Sequence, residues 1–299
     1  MLSREVERKL LVEALMRDVN IYTEKTQYIP GDDVSGHVVI STDNTFTCNR
    51  IVLKVRGKEY THYQAGKVHV SETHEQIEDD ITIWEGGEIQ SGDAKFEFSF
   101  KLPEDLPPNH DGAFGEIQYS IEAVVEIDRR LDPKSKITIN LGPQPPPFIP
   151  EPMTSEGIRQ EIEHLVVEIP TDIVRPGREL PVRFLVRERS RIKGVRIDVI
   201  KREEASCQGR NLESSKQISE RSIPITEIAI DRWCEETIHE DWSSILPFEG
   251  KLISSSIVLK VVLEVGLALD PSVEFPLRLS GEKKGDDELF DSMEIDLGW

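Results

Sequence analysis

The chain has 299 residues, 37% hydrophobic and 31% charged, and its 56 acids against 36 bases leave a net charge of −20. That composition is too apolar for a disordered chain and too acidic for a protein that coats nucleic acid by neutralising phosphates. No run approaches the roughly 18 to 20 apolar residues that span a bilayer, so the protein is expected not to be transmembrane. The N-terminus lacks the apolar segment of a secretory signal, and three scattered cysteines, Cys48, Cys207 and Cys234, supply neither a disulfide framework nor a zinc site. The expected setting is cytoplasmic, peripheral where it meets a membrane.

In chain order, residues 1–17 read as an amphipathic helix, with Val6, Leu10 and Ala14 spaced by four and Leu11 and Leu15 likewise. Residues 18–142 read as strands throughout. Ile117, Tyr119, Ile121, Ala123, Val125 and Ile127 take every second position, which is the pattern of a long strand with one buried face. Phe96, Phe98 and Phe100 repeat it, and turn signals such as Pro30-Gly31, Ala65-Gly66 and Asp132-Pro133 separate the runs. Residues 143–157 form a proline-rich linker, because prolines remove the donors that a sheet needs. Residues 158–281 return to strand periodicity, with Val182, Phe184 and Val186 alternating with Arg183, Leu185 and Arg187, and a long strand from Ile257. The weakly patterned stretch from Glu203 to Glu220 reads as a loop. Residues 282–299 form an acidic tail that ends in the alternation Met293, Ile295, Leu297, Trp299.

Two of these segments repeat each other. Tyr28-Ile-Pro30-Gly31 through Ile40 maps without a gap onto Val174-Arg-Pro176-Gly177 through Val186 at an offset of 146 residues, and Leu165 and Val167 fall on Val19 and Ile21. A period this long marks a duplicated domain, since solenoid repeats run about 20 to 50 residues. Two tandem all-β sandwiches follow.

No Gly-rich phosphate loop, nucleophile elbow or metal-ligand spacing appears, so no catalytic, cofactor or metal residue is expected. His62, His69 and His74 read as surface histidines on a hairpin. Glu122 and Glu126 sit on a solvated strand face with nothing to raise a carboxylate pKa.

The strings Tyr28 to Ile40, then Ile51-Val-Leu-Lys-Val-Arg-Gly-Lys-Glu-Tyr-Thr-His62, then Phe96 to Arg129 resemble, in order and spacing, the N-terminal domain of the arrestins, closest to the α-arrestin branch. The second half resembles the arrestin C-terminal domain less sharply. The resemblance implies two immunoglobulin-like β-sandwiches, the arrestin fold, and a non-catalytic adaptor or scaffold that links membrane cargo or signalling partners to trafficking machinery. The alternative is a structural coat or sorting-complex subunit resembling the arrestin-like subunit of retromer. The chain departs from the family where peptide signals are expected: Pro107-Pro108 and Pro146-Pro147 are not followed by the tyrosine of a PPxY motif, and Ile21 to Lys25 offers one lysine where receptor-sensing arrestins carry two.

Charge is segregated along the chain. Eight acids and no Lys or Arg lie between Lys67 and Lys95, whereas Arg175 to Arg202 holds ten bases against three acids. Arg183, Arg187, Arg189, Arg191, Lys193 and Arg196 are the expected partner-binding residues, toward an anionic membrane or phosphorylated peptides. The bland reading of the same residues is that they pair with acids on neighbouring strands. The tail residues Met293, Ile295, Leu297 and Trp299 could add a strand in cis, dock in trans to give an oligomer, or close the second domain.

Overall fold

The structure, a computed structural model, describes residues 17–128, 131–150, 157–266 and 270–282. The expected N-terminal helix and the tail from residue 283 lie outside the described residues, apart from Arg17, which opens the first strand. The chain divides into two compact units, one of residues 1–144, 204–213 and 248–254, the other of residues 145–203, 214–247 and 255–299.

The first half of the chain contributes β1 (Arg17–Thr23), β2 (Asp33–Thr42), β3 (Phe46–Cys48), β4 (Arg50–Ala65), β5 (Val68–Trp84), β6 (Gly87–Ile89), β7 (Gly92–Lys101), β8 (His110–Asp111), β9 (Gly115–Glu126) and β10 (Lys134–Ile139), all in the first unit. They pair as β1-β2-β7, as β10-β9-β4-β5 with β8 beside β9, and as a small β3-β6 ribbon. Val34, Val38 and Ile40 from β2 meet Ile51 and Leu53 from β4 and Ile117 and Ile121 from β9 in one buried core. Each fully buried aliphatic side chain contributes about 1.5–3 kcal/mol, which is what the alternation in the sequence encodes.

The second half contributes β11 (Ile158–Ile162), β12 (Leu165–Ile169), β13 (Ile173–Val174), β14 (Leu180–Val186), β15 (Ile192–Cys207), β16 (Arg210–Pro224), β17 (Trp233–Ile238), β18 (Phe248–Glu249), β19 (Ile253–Val265) and β20 (Ser272–Leu279), with one 3-10 turn at Trp242–Ser244. The sheets are β11-β12-β14-β17 and β13-β20-β19-β15-β16, with β18 beside β19. Trp242 is wholly buried in this unit's core, and its indole Nε1 donates to the Arg178 carbonyl at 2.9 Å. The all-β, two-sandwich expectation therefore holds.

The repeat is structural at the level of single residues. Val19 pairs with Ile40 and Ile21 with Val38, while Leu165 pairs with Val186 and Val167 with Phe184, which is the same register 146 residues on. Gly31 and Gly177 occupy the turn with φ of 87° and 67°, a region that costs glycine nothing.

One segment differs from its reading. Glu203–Glu220 is no loop: β15 and β16 form a long hairpin, turned by Gln208 and Gly209 at φ of 51° and 74°, the two positive values that a tight hairpin turn requires. Ala205 and Leu212 near its tip join the core of the first unit, and the buried Cys207 sets its Sγ 3.7 Å from the Thr61 carbonyl. Their polar neighbours hid the periodicity.

Gly57 is a point of close packing in the hairpin of β4 and β5. A Cβ there would lie 2.5 Å from two ring carbons of Tyr119 and 2.7 Å from Ile77. The ring cannot yield, because the Tyr119 hydroxyl donates to the Pro107 carbonyl at 2.7 Å. Burial, and then the charge of nearby Glu59, push the Tyr119 phenol well up, so it remains a donor across the ordinary pH range.

Gly57→Ala should cost about 2–3 kcal/mol by overpacking, read as a lower urea midpoint at unchanged slope. Burial pushes the Cys48 thiol up to about 11 and Cys207 is also buried, while Cys234 is half-buried. Native alkylation should therefore label Cys234 first and the other two only on unfolding, as mass spectrometry of the labelled peptides would show.

Candidate interaction surface

Strand parity on β14 sends Leu180, Val182, Phe184 and Val186 inward and Arg183 and Leu185 outward, and Arg187 is exposed just beyond its end. The outward side chains of four strands then fall into rows. Arg159 faces Glu168, Glu168 faces Arg183, and Arg183 faces Glu235 in one row. Glu161, Val166, Leu185 and Trp233 form the next. Arg159 reaches Glu168 at 3.2 Å and Glu161 at 3.3 Å, Arg187 reaches Glu161 at 2.6 Å, and Arg183 lies 3.8 Å from Glu168.

Trp233, 37% exposed, sits among these guanidiniums, with Arg183 at 4.9 Å and Arg159 at 5.9 Å from its ring centre. Such contacts contribute about 0.5–1 kcal/mol each at exposed sites. Val166 is fully covered although it lies in an outward row. Arginine stems can cover apolar surface while keeping their charge wet, so this outer face combines an aromatic platform with guanidinium donors.

The remaining cations separate from that face. Arg189 and Arg191 are exposed on the loop into β15 and Lys193 on the second residue of that strand, and the Arg189 guanidinium donates to the Ile225 carbonyl at 3.1 Å. Arg191 holds a left-handed φ of 66°, and its carbonyl accepts from Gly266 N at 3.1 Å. Among the described residues Arg191 and Lys193 have no acidic partner. Arg196 lies in the other sheet, where its Nε spans both oxygens of the buried Asp198 at 3.1 Å and its Nη1 reaches Glu264 at 3.5 Å. The Asp198 carboxylate raises the Arg196 pKa further. The six sequence-predicted residues thus form three groups: Arg183 and Arg187 on the outer face, Arg189, Arg191 and Lys193 on the loop and the start of β15, and Arg196 in an internal network.

Arg159 and Trp233 were not singled out from the sequence. Their signal is weak, because a tryptophan between an arginine and a cysteine reads as core, and only the pairing of β14 with β17 places it outward. The tail residues Met293, Ile295, Leu297 and Trp299 lie outside the described residues. His62 and His69 share a face with Tyr60, their rings 5.5 Å apart and the Tyr60 hydroxyl 3.1 Å from His69 Nε2, while His74 pairs with Glu59 on β4. Among the described residues no group of three or more His, Cys, Asp or Glu could hold a metal ion, and no helix is long and apolar enough to cross a membrane.

Residues 18–141 match the family described as Arrestin (or S-antigen), N-terminal domain. The chain is also similar to Arrestin domain-containing protein 17 of Caenorhabditis elegans, at 28% identity over 116 residues that cover 33% of this chain and 27% of that relative. The match thus spans well under two thirds of the relative's length. The fold class is that of the arrestins, with β-sandwiches in tandem along the chain.

Arg196→Ala should destabilise the chain by about 3 kcal/mol, because it leaves the buried Asp198 charge without its main donor; Arg191→Ala should stay within about 0.5 kcal/mol, and urea unfolding separates the two. Arg202 and then Lys260 hold the Glu274 carboxyl below its ordinary value, and Arg278 does the same for Asp172. A depressed carboxylate stabilises above its unfolded pKa of about 4 and loses that contribution as pH falls through the folded value. Stability should therefore decline below about pH 4, and Arg278→Ala should make that acid decline shallower in a pH series of thermal melts.

Proposed function

We propose that this chain is a non-catalytic adaptor of arrestin type, nearest the α-arrestin branch, which recruits protein partners at an anionic membrane surface. The family match over the first sandwich supports the class of activity. The observation that carries the anionic partner is the segment from Arg187 to Lys193, where Arg191 and Lys193 are exposed without an acidic partner among the described residues of a chain whose net charge is −20. In so acidic a protein, cations without an acidic partner among the described residues, here at the entry to β15, define where a negative surface approaches with least repulsion. Arg183 and Arg187 on the adjoining strand extend the same surface, although their charges are shared with Glu168 and Glu161. Arg196 serves the fold on this reading.

Each basic residue near an anionic bilayer contributes about 1 kcal/mol. The triple variant Arg189→Ala, Arg191→Ala, Lys193→Ala should therefore weaken sedimentation with phosphatidylserine-containing vesicles by more than tenfold at about 0.1 M salt. Binding of wild type equal to that on neutral phosphatidylcholine vesicles, or unchanged binding of the variant, would remove this reading.

A further inference from the structure

Glu59 is wholly inaccessible to water. A buried carboxylate is tolerated only when its acceptor sites are filled. Here they are filled almost entirely by backbone: Lys251 N and Leu252 N donate to Oε2 at 2.9 and 3.0 Å, and Ile253 N approaches Oε1 at 3.4 Å. The Gln76 side-chain amide adds a fourth donor to Oε2 at 2.7 Å.

Three consecutive N–H groups aimed at one carboxylate make a backbone nest, the concave anion-binding device built from main-chain dipoles. Two backbone hydrogen bonds help to shape it. Gly250 N donates to the Ile253 carbonyl at 2.8 Å and closes the turn, and Ser206 N donates to the Leu252 carbonyl at 2.7 Å. A Cβ on Gly250 would fall on the Glu59 carboxylate itself, so the position requires glycine. Gln76 is the extra residue of a bulge in β5, since the register passes from Gly57 with Ile77 to Lys58 with Glu75, and the bulge frees its side chain to turn toward Glu59.

A cavity of 440 Å³ adjoins the nest, lined by Glu204 to Ser206, Asn211 to Glu213 and Glu249 to Ser254. It gives small solutes a route to the backbone of this loop. Thr61, two residues beyond Glu59, also fastens the hairpin tip, donating through Oγ1 to the Ser206 carbonyl at 2.8 Å.

We infer that the backbone of Lys251, Leu252 and Ile253 is a carboxylate-binding site whose resident ligand is Glu59, and that this contact is the latch that fixes the 248–254 segment within its unit. Nothing in the donor set is specific to a glutamate side chain. The site takes any small carboxylate that fits the space of two oxygens beside Gln76, and Glu59 holds it because its tether supplies a high effective concentration.

Chemical rescue tests both halves of the statement on the full chain. Amide hydrogen exchange at residues 251–253 should quicken about tenfold in Glu59→Ala. Sodium acetate at about 0.1 M should restore part of that protection, whereas sodium chloride of equal ionic strength should not. Glu59→Gln keeps one carbonyl acceptor but turns an amide donor on the nest, and should exchange at an intermediate rate. Unchanged exchange in Glu59→Ala, or equal effects of acetate and chloride, would overturn the inference. Should Glu59→Ala fail to fold, wild-type protection in Glu59→Gln would overturn it equally, and faster exchange there would support it.

Discussion

One pairing register, used twice, sets what every other residue in the two sandwiches can do. Because strand side chains alternate with a period of two, the pairing of Val19 with Ile40 and of Leu165 with Val186 decides at once which residues are buried and which meet solvent. A slip of one residue would send Phe184 and Val182 outward and Arg183 into the core, at a cost no sandwich could absorb. The Pro-Gly turns keep that slip from occurring, since glycine at positive φ reverses the chain at a defined residue.

The same register leaves the outward positions free to diverge. Tyr22 stacks on His37 in the first copy with ring centres 5.2 Å apart, and the residues 146 positions later are Glu168 and Arg183, an ion pair at 3.8 Å. Core and turn are therefore shared between the copies, while an aromatic stack in one has become part of a charged lattice around Trp233 in the other. Exposed pairs of this kind contribute little to stability, about 0.2–1 kcal/mol. Their residue types answer to what the surface meets more than to folding, which fits a surface used for recognition.

Much of the architecture was legible because the hydrophobic periods were clean. The long strand from Ile117, the phenylalanine alternation in β7 and the repeated turn could all be read from residue order. The hairpin of β15 and β16 could not, because its apolar residues, Ala205, Cys207 and Leu212, are small or widely spaced and its turn is Gln-Gly. The cationic stretch from Arg183 to Arg196 was visible as composition, yet composition has no parity. The sheets divided it among an outer face, a loop and the network around Asp198.

Sequence alone determined the β class, the duplication, the absence of recognisable catalytic motifs and the segregation of charge, since each is a matter of residue type and spacing along the chain. Tertiary structure decided which cations have no acidic partner among the described residues and that Trp233 faces outward. It also brought Glu59 to the backbone of residues 251–253, nearly two hundred positions away. The physical reason is that hydrogen-bond partners and burial are properties of neighbours in space. The donors that hold Glu59 are main-chain N–H groups, which every residue except proline carries and no sequence pattern can mark.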